Sequence, residues 1–308
     1  MIEVNYLRKE YDDTIALENL QLNIAQGEVF GLIGPNGAGK TTLIRVLATL
    51  LEPTYGEVRI AGIDVLADPL KVHPIIGYMS DFFSLYENMR VWEYLDHFAR
   101  CYRIPPTSRK RLIDEALELV SLVVRRDAEI HELSRGMRQR LCFAKSLLHE
   151  PQVLLLDEPA SGLDPAGRVE FRELIKQLHE MGRTIVISSH ILTEMTEFCT
   201  SIGILEQGRL VASGKVNDIL ARLEPELHLV IEVQGELDQL KTLLTHDPAA
   251  ENIIVNASQL KCIWRGPRET LPALHRKIVE SGIPLVSFAV AGDNLGEIYM
   301  RISSHSTS

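Results

Sequence analysis

Val29-Phe30-Gly31-Leu32-Ile33 runs directly into Gly34-Pro35-Asn36-Gly37-Ala38-Gly39-Lys40-Thr41-Thr42, and this stretch decides the fold class. A short apolar run of this kind reads as a strand. Residues 34–41 then match G-x-x-x-x-G-K-[ST], and the helical run over 40–50 completes the strand, loop and helix that a phosphate-binding loop requires. Its glycines let backbone N–H groups turn inward around a β-phosphate, and the helix that starts near Lys40 adds positive potential there. Lys40 is placed to neutralise the β- and γ-phosphates, and the Thr41 hydroxyl offers a hard oxygen to Mg²⁺. The expected nucleotide contacts are Gly34, Pro35, Asn36, Gly37, Ala38, Gly39, Lys40, Thr41 and Thr42.

Working outward, residues 153–156 (Val-Leu-Leu-Leu) and 184–187 are short, wholly apolar runs that bracket a helical stretch at about 165–181, as buried parallel strands of a β-α-β unit do. The first of them ends in Asp157-Glu158, two carboxylates where such a sheet presents its ligands. Asp157 is expected to hold Mg²⁺, and Glu158 to polarise an attacking water as general base. A solvated acidic turn is the plainer alternative. Ahead of the loop, residues 2–6, 20–24 and 57–60 are short β-type runs, and residues 82–150 read as a helical insert. In that insert Val91, Leu95 and Phe98 define one apolar face, and Leu112, Ala116, Leu119 and Val120 another.

Residues 202–205 and 209–212 predict a terminal hairpin around Glu206-Gln207-Gly208, with a boundary near 221–226. Beyond it the pattern is β-α-β-β-α-β-α, ending in a helix at 295–302, which suits a small α+β ferredoxin-like domain. The domain plan is therefore 1–222, a nucleotide-binding α/β domain, and 227–308, an accessory or regulatory one. No apolar run approaches the length of a membrane span, and the N-terminus lacks the features of a signal peptide, so a cytoplasmic setting is expected. The four cysteines are scattered and read as reduced thiols. A net charge of −10 argues against broad affinity for nucleic acid.

Leu133-Ser134-Arg135-Gly136-Met137, followed by Arg138-Gln139-Arg140, resembles the signature motif of ABC ATPases. Ser161-Gly162-Leu163-Asp164 resembles their D-loop, and Ser188-Ser189-His190 their switch-histidine segment. Tyr11 resembles the aromatic residue that stacks on adenine. These stations, in family order with the phosphate-binding loop, cover residues 1 to about 220. The resemblance implies a P-loop NTPase ABC cassette, with a mixed-sheet core, an antiparallel β subdomain and a helical insert. It implies ATP and Mg²⁺ as ligands, and Lys40, Glu158 and His190 as the catalytic group. Ser134 and Gly136 would contact the γ-phosphate held by a second cassette in a head-to-tail homodimer or heterodimer.

Two departures from the family pattern stand out. Arg135 and Met137 replace the glycine and glutamine of the commonest signature. Residues 76–81 (Ile-Gly-Tyr-Met-Ser-Asp) resemble the approach to the Q-loop, yet end in Asp81 where the family has glutamine. Asp81 is either a further Mg²⁺ ligand or the N-cap of a helix starting near Phe82.

The function implied is an ATPase that drives a separately encoded membrane permease, docked around Phe82, Phe83, Leu85 and Tyr86, and that sits peripherally at the cytoplasmic face of the membrane. One cassette with a C-terminal extension is similar to the ABC-2 exporter group, which favours export. A soluble ABC ATPase acting on ribosomes or DNA is the alternative. It is opposed by the acidic charge and by the absence of a tandem cassette, sustained heptads or zinc spacing.

Overall fold

The computed structural model describes residues 1–82, 85–223, 227–235, 237–256 and 259–291. The chain divides into two compact units, Met1–Val216 and Asn217–Ser308.

In the first unit the elements are β1 (Ile2–Tyr11), β2 (Thr14–Ile24), β3 (Val29–Ile33), α1 (Lys40–Leu47), β4 (Tyr55–Ile60), β5 (Ile63–Asp64), α2 (Pro69–Val72) and β6 (Ile76–Met79). There follow α3 (Val91–Cys101), α4 (Pro106–Leu119), α5 (Arg135–Leu147), β7 (Val153–Leu156), α6 (Pro165–Glu180), β8 (Thr184–Ser189), α7 (Leu192–Thr196), β9 (Ser201–Glu206) and β10 (Arg209–Lys215). An antiparallel sheet runs β2-β1-β4-β5, and a six-stranded mixed sheet runs β10-β9-β3-β8-β7-β6.

In the mixed sheet β9, β3, β8, β7 and β6 are parallel, and β10 is an antiparallel edge. The residues of β3, β7 and β8 are all buried, and β3 and β7 are apolar without alternation, as a sheet covered on both faces demands, while β8 is apolar over 185–187 and polar at Thr184, Ser188 and Ser189. The core joins the two sheets through Leu43, Ile44 and Leu47 of α1, Leu20 and Leu22 of β2, and Leu155 and Val186 of the central strands. The β9–β10 hairpin closes on Gln207 and Gly208, both at positive φ (46° and 78°), the geometry of a tight two-residue hairpin turn.

Some boundaries differ from expectation. The helix expected over 40–50 ends at Leu47, and β1 and β2 run further toward each other than their apolar cores suggested. On α4 the buried residues are Ile113, Ala116 and Leu117, while Leu112 and Leu119 are half-buried. The apolar residues come in adjacent pairs there, so periodicity allows two faces and packing selects one. No described helix starts near Phe82; the next one after β6 is α3, whose N-terminus is closed by the Glu93 carboxylate accepting from the Arg90 N–H at 2.9 Å. Asp81 as a helix N-cap is therefore overturned.

The second unit holds α8 (Val216–Leu223, its first residue closing the first unit), β11 (Leu227–Val233), α9 (Asp238–Thr245), β12 (Ala250–Asn256), β13 (Gln259–Trp264), α10 (Leu271–Glu280) and β14 (Leu285–Ala291). Its antiparallel sheet runs β12-β13-β11-β14. Leu229, Ile231 and Val233 alternate inward against Leu240 and Leu244 of α9 and Leu274 and Ile278 of α10, giving this unit a core of its own. The helix expected at 295–302, like Phe83, lies outside the described residues.

No described helix is long and apolar enough to cross a membrane. Burial pushes the Cys142 and Cys262 thiols up to about 11, so both stay protonated near neutral pH.

Candidate nucleotide site

The carboxyl ends of β3, β6, β7 and β8 meet at one edge of the mixed sheet, where open α/β sheets bind ligands. Gly39 closes the loop after β3 with φ 105°, and a Cβ there would lie 2.4 Å from the Ala16 carbonyl of β2. Only glycine fits. The loop is braced from behind by the hairpin turn, since the Gly208 N–H donates to the Ala38 carbonyl at 3.0 Å and the Glu18 N–H to the Gly208 carbonyl at 2.9 Å. Lys40 is only 6% exposed; its Nζ donates to the Gly34 and Pro35 carbonyls at 2.7 and 3.1 Å and lies 3.4 Å from Glu158 Oε1. Tyr11 ends β1 opposite Thr14, two residues before Ala16, and is 45% exposed with Lys9 Nζ 5.0 Å from its ring centre. An exposed aromatic thus stands at the turn of the β1–β2 hairpin, whose Ala16 carbonyl lies against Gly39.

Asp157 and Glu158 leave the end of β7 in different environments. Asp157 is fully buried, its backbone N–H donating to the Met79 carbonyl at 2.9 Å. Its Oδ1 accepts from the Ser188 hydroxyl at 2.6 Å, and the Thr41 hydroxyl lies near enough to favour the charged carboxylate. Burial raises its pKa above the usual carboxylate range; the Ser188 and Thr41 hydroxyls oppose this, and the Asp81 and Glu158 charges add to it. Glu158 sits at φ 47°, a strained conformation for a residue with a side chain. Its backbone N–H donates to Ser188 Oγ at 2.8 Å, and its Oε2 accepts from His190 Nδ1 at 3.0 Å.

Ser188 thus links both carboxylate residues through one hydroxyl. Sequence reasoning placed Ser188 in the switch-histidine segment without a role. Nothing local marks it, because its position follows from the β7–β8 register, which pairs Leu156 with Ile187.

The residues present fit a Mg²⁺ ion. Asp157 Oδ2 is buried with no hydrogen-bond partner, and the Thr41 hydroxyl reaches the same carboxylate, so two hard oxygens converge. Among the described residues no three His, Cys, Asp or Glu side chains form a metal cage, so Asp81, Asp157 and Glu158 do not converge as one. Two protein ligands suit Mg²⁺, which completes its shell with water and phosphate oxygens. Asp81 is exposed, and its Oδ1 accepts from the Phe82 N–H at 2.8 Å; it reaches the site through its charge on Asp157.

Ser134 is the N-cap of α5, its hydroxyl accepting from the Met137 N–H at 3.3 Å. No described hydrogen bond or ion pair joins Ser134 or Gly136 to the phosphate-binding loop of its own chain. Instead the head of α5 packs on the segment after Glu158, where a Cβ on Gly136 would touch Leu163 at 3.6 Å.

Comparison with known proteins agrees with this geometry. Residues 17–161 match the family model described as ABC transporter. Over 305 residues the chain is 33% identical to the Nod factor export ATP-binding protein I of Cupriavidus pinatubonensis (strain JMP 134 / LMG 1197), covering 98% of this chain and 90% of that one. It is 32% identical over 303 residues to the daunorubicin resistance ATP-binding protein DrrA3 of Streptomyces coeruleorubidus, covering 98% and 95%. Among solved structures, a dimeric ATP-binding cassette in a post-hydrolysis state with ADP and Pi superposes with a TM-score of 0.64 at 27% identity, covering 70% of this chain and 99% of that one. The nucleotide-site geometry at the sheet edge and the near full-length identity to transporter ATP-binding proteins lead to one conclusion: the chain belongs to the ABC transporter family, as an ATP-binding protein.

Proposed function

We propose that the chain is the Mg²⁺-dependent ATP-hydrolysing subunit of an exporter, acting as a cassette dimer on a separately encoded permease at the cytoplasmic face of the membrane. The observation that carries the hydrolytic reading is the Glu158 carboxylate held between Lys40 Nζ and His190 Nδ1, beside a buried Asp157. Lys40 neutralises the β- and γ-phosphates, and residues 34–42 orient them through backbone N–H groups. Thr41 and Asp157 would hold Mg²⁺, whose charge, once bound, offsets that of the phosphates. Glu158 takes a proton from the attacking water at its carboxylate, and the His190 Nδ1–H keeps that carboxylate turned inward. His190, its side chain 51% exposed, reaches toward the γ-phosphate, and Tyr11 stacks on the base. Ser134 and Gly136 face the nucleotide of the second cassette.

Export is supported by a relative that matches nearly the whole chain and is named for Nod factor export, beside another named for daunorubicin resistance. The two names refer to different compounds, as expected if the permease selects the cargo. The permease is placed near Phe82 (78% exposed), Leu85 and Tyr86, directly after the Q-loop position. Residues 1–222 are the nucleotide-binding domain, and 227–308 an accessory domain, ferredoxin-like in its strand order, that regulates or stabilises the dimer.

Glu158→Gln tests the reading. The amide fits the same space but cannot take the proton, so ATP affinity should persist while hydrolysis falls by about 10² to 10⁴ and a nucleotide-bound dimer accumulates on size exclusion. Turnover within about tenfold of wild type, measured with Mg-ATP and the permease present, removes Glu158 as base.

A further inference from the structure

Arg135 stands where the commonest signature has glycine, and its surroundings give it a task. The residue is exposed, and among the described residues its guanidinium makes no ion pair and no hydrogen bond. It lies against Gly162 of the 161–164 loop. A Cβ built on Gly162 would sit 2.8 Å from both Cζ and Nη2 and 3.1 Å from Nε of Arg135. Three guanidinium atoms at nearly one distance mean that the planar group is laid face-on across the Gly162 backbone. Gly162 itself has φ 76°, a conformation that disfavours a side chain, and the guanidinium fills the space where one would stand.

The contact belongs to a longer seam. Gln139, 5% exposed and one turn further along α5, donates from Nε2 to the Pro159 carbonyl, and Arg140 pairs with Glu170 at 2.9 Å. The head of α5 is thus fastened to the segment that starts immediately after Glu158. That segment is a tight turn, with the Ser161 N–H on the Glu158 carbonyl at 3.0 Å and the Leu163 N–H on the Ala160 carbonyl at 3.3 Å. A displacement of α5 at Ser134 and Gly136 therefore has a short route, through Gly162 and Pro159, to the backbone of Glu158 in the same chain.

We propose that Arg135 is a positioning residue that clamps the 161–164 loop to the head of α5 by stacking, so that engagement of the signature by the opposite site is passed to this chain's own Glu158. The link to hydrolysis rests on the dimeric ATPase reading above; the clamp itself does not. Stacking needs the flat guanidinium, which is weakly hydrated on its faces and which lysine cannot imitate. A role in charge, such as contact with a phosphate, would be largely met by lysine.

The test uses the full chain and three variants, Arg135→Ala, Arg135→Lys and Arg135→Ala/Gly162→Ala, with Gly162→Ala alone as the fourth corner. Hydrogen exchange without nucleotide reads the clamp directly. Both single Arg135 variants should speed exchange at the 161–163 amides by about fivefold or more, with residues 34–42 unchanged. With the permease present, kcat should fall by about tenfold in both while the KM for ATP holds, and lysine should not rescue. Gly162→Ala should cost less activity in the Arg135→Ala background than alone, because the guanidinium it collides with is gone.

Unchanged exchange at 161–163 overturns the clamp, and so does wild-type kcat in Arg135→Lys or strict additivity in the cycle. A wild-type chain that does not hydrolyse ATP, yet shows the exchange effect, instead rejects the ATPase reading and with it the coupling.

Discussion

Asp157 shows at the residue scale how a site can work against the fold that carries it. Its carboxylate is buried and its pKa is raised by that burial. Folding therefore favours the protonated form: the stabilising contribution is complete below the unfolded value near 3.9 and is lost as pH rises through the folded value. Once pH has risen through it, the nucleotide-free chain carries a buried charge. Asp157→Asn should raise its melting temperature in EDTA by about 2 °C or more, the response of a unit of this size to roughly 1 kcal/mol, and should narrow the gap as pH falls toward 4. The same variant should lose Mg-ATP affinity. A lower melting temperature at pH 7 rejects the account. Asp81 acts on the same carboxylate through its charge, so Asp81→Asn should raise the Mg²⁺ concentration that gives half-maximal hydrolysis while leaving the melting temperature unchanged. An unaltered Mg²⁺ titration removes Asp81 from the metal's environment.

At the scale of the element, α5 carries two duties on one residue. Ser134 closes the helix by accepting the Met137 N–H, and the same hydroxyl is proposed to meet a phosphate of the second cassette. Substitution separates the two. Ser134→Ala should lower stability by about 1 kcal/mol and also reduce hydrolysis. Ser134→Asp restores a good cap, so its melting temperature should return toward wild type, while its negative charge repels the phosphate and hydrolysis stays low. Thermal melts beside turnover decide it, and recovery of both by aspartate would leave Ser134 a cap alone. Element types were legible from pattern because strands covered on both faces, such as β3 and β7, are apolar throughout. Faces were less so. Leu112 and Ile113 on α4 are adjacent and equally apolar, and only contact with neighbouring helices decides which is buried.

For the molecule as a whole, each unit has its own apolar core, the first around β1, β2, β4 and α1 and the second under the four-stranded antiparallel sheet. A chain ending at Val216 should therefore fold and bind a fluorescent ATP analogue with full-length affinity, within about threefold, since every residue assigned to the nucleotide precedes that point. A chain that gives a cooperative melt yet binds tenfold more weakly would show that the second unit completes the site. Dimerisation of Glu158→Gln with ATP in the shortened chain then tests whether residues after 216 stabilise the dimer.

The sequence by itself made the phosphate-binding loop and the two carboxylates after β7 legible, because each is a local pattern whose chemistry depends on spacing along the chain, and the signature and switch segments legible through their resemblance to those of ABC ATPases. The tertiary structure alone decided what surrounds them. Ser188 reaches Asp157 and Glu158 across 31 and 30 positions, the turn at Gly208 braces Ala38 across 170 residues of chain, and Arg135 lies on Gly162. These contacts follow from sheet register and helix packing, which sum many weak interactions distant in sequence, so no single segment encodes them. Asp81 illustrates the difference most plainly. Its residue type fitted a helix cap equally well, but no described helix starts at Phe82, and what its charge does is push up the pKa of Asp157.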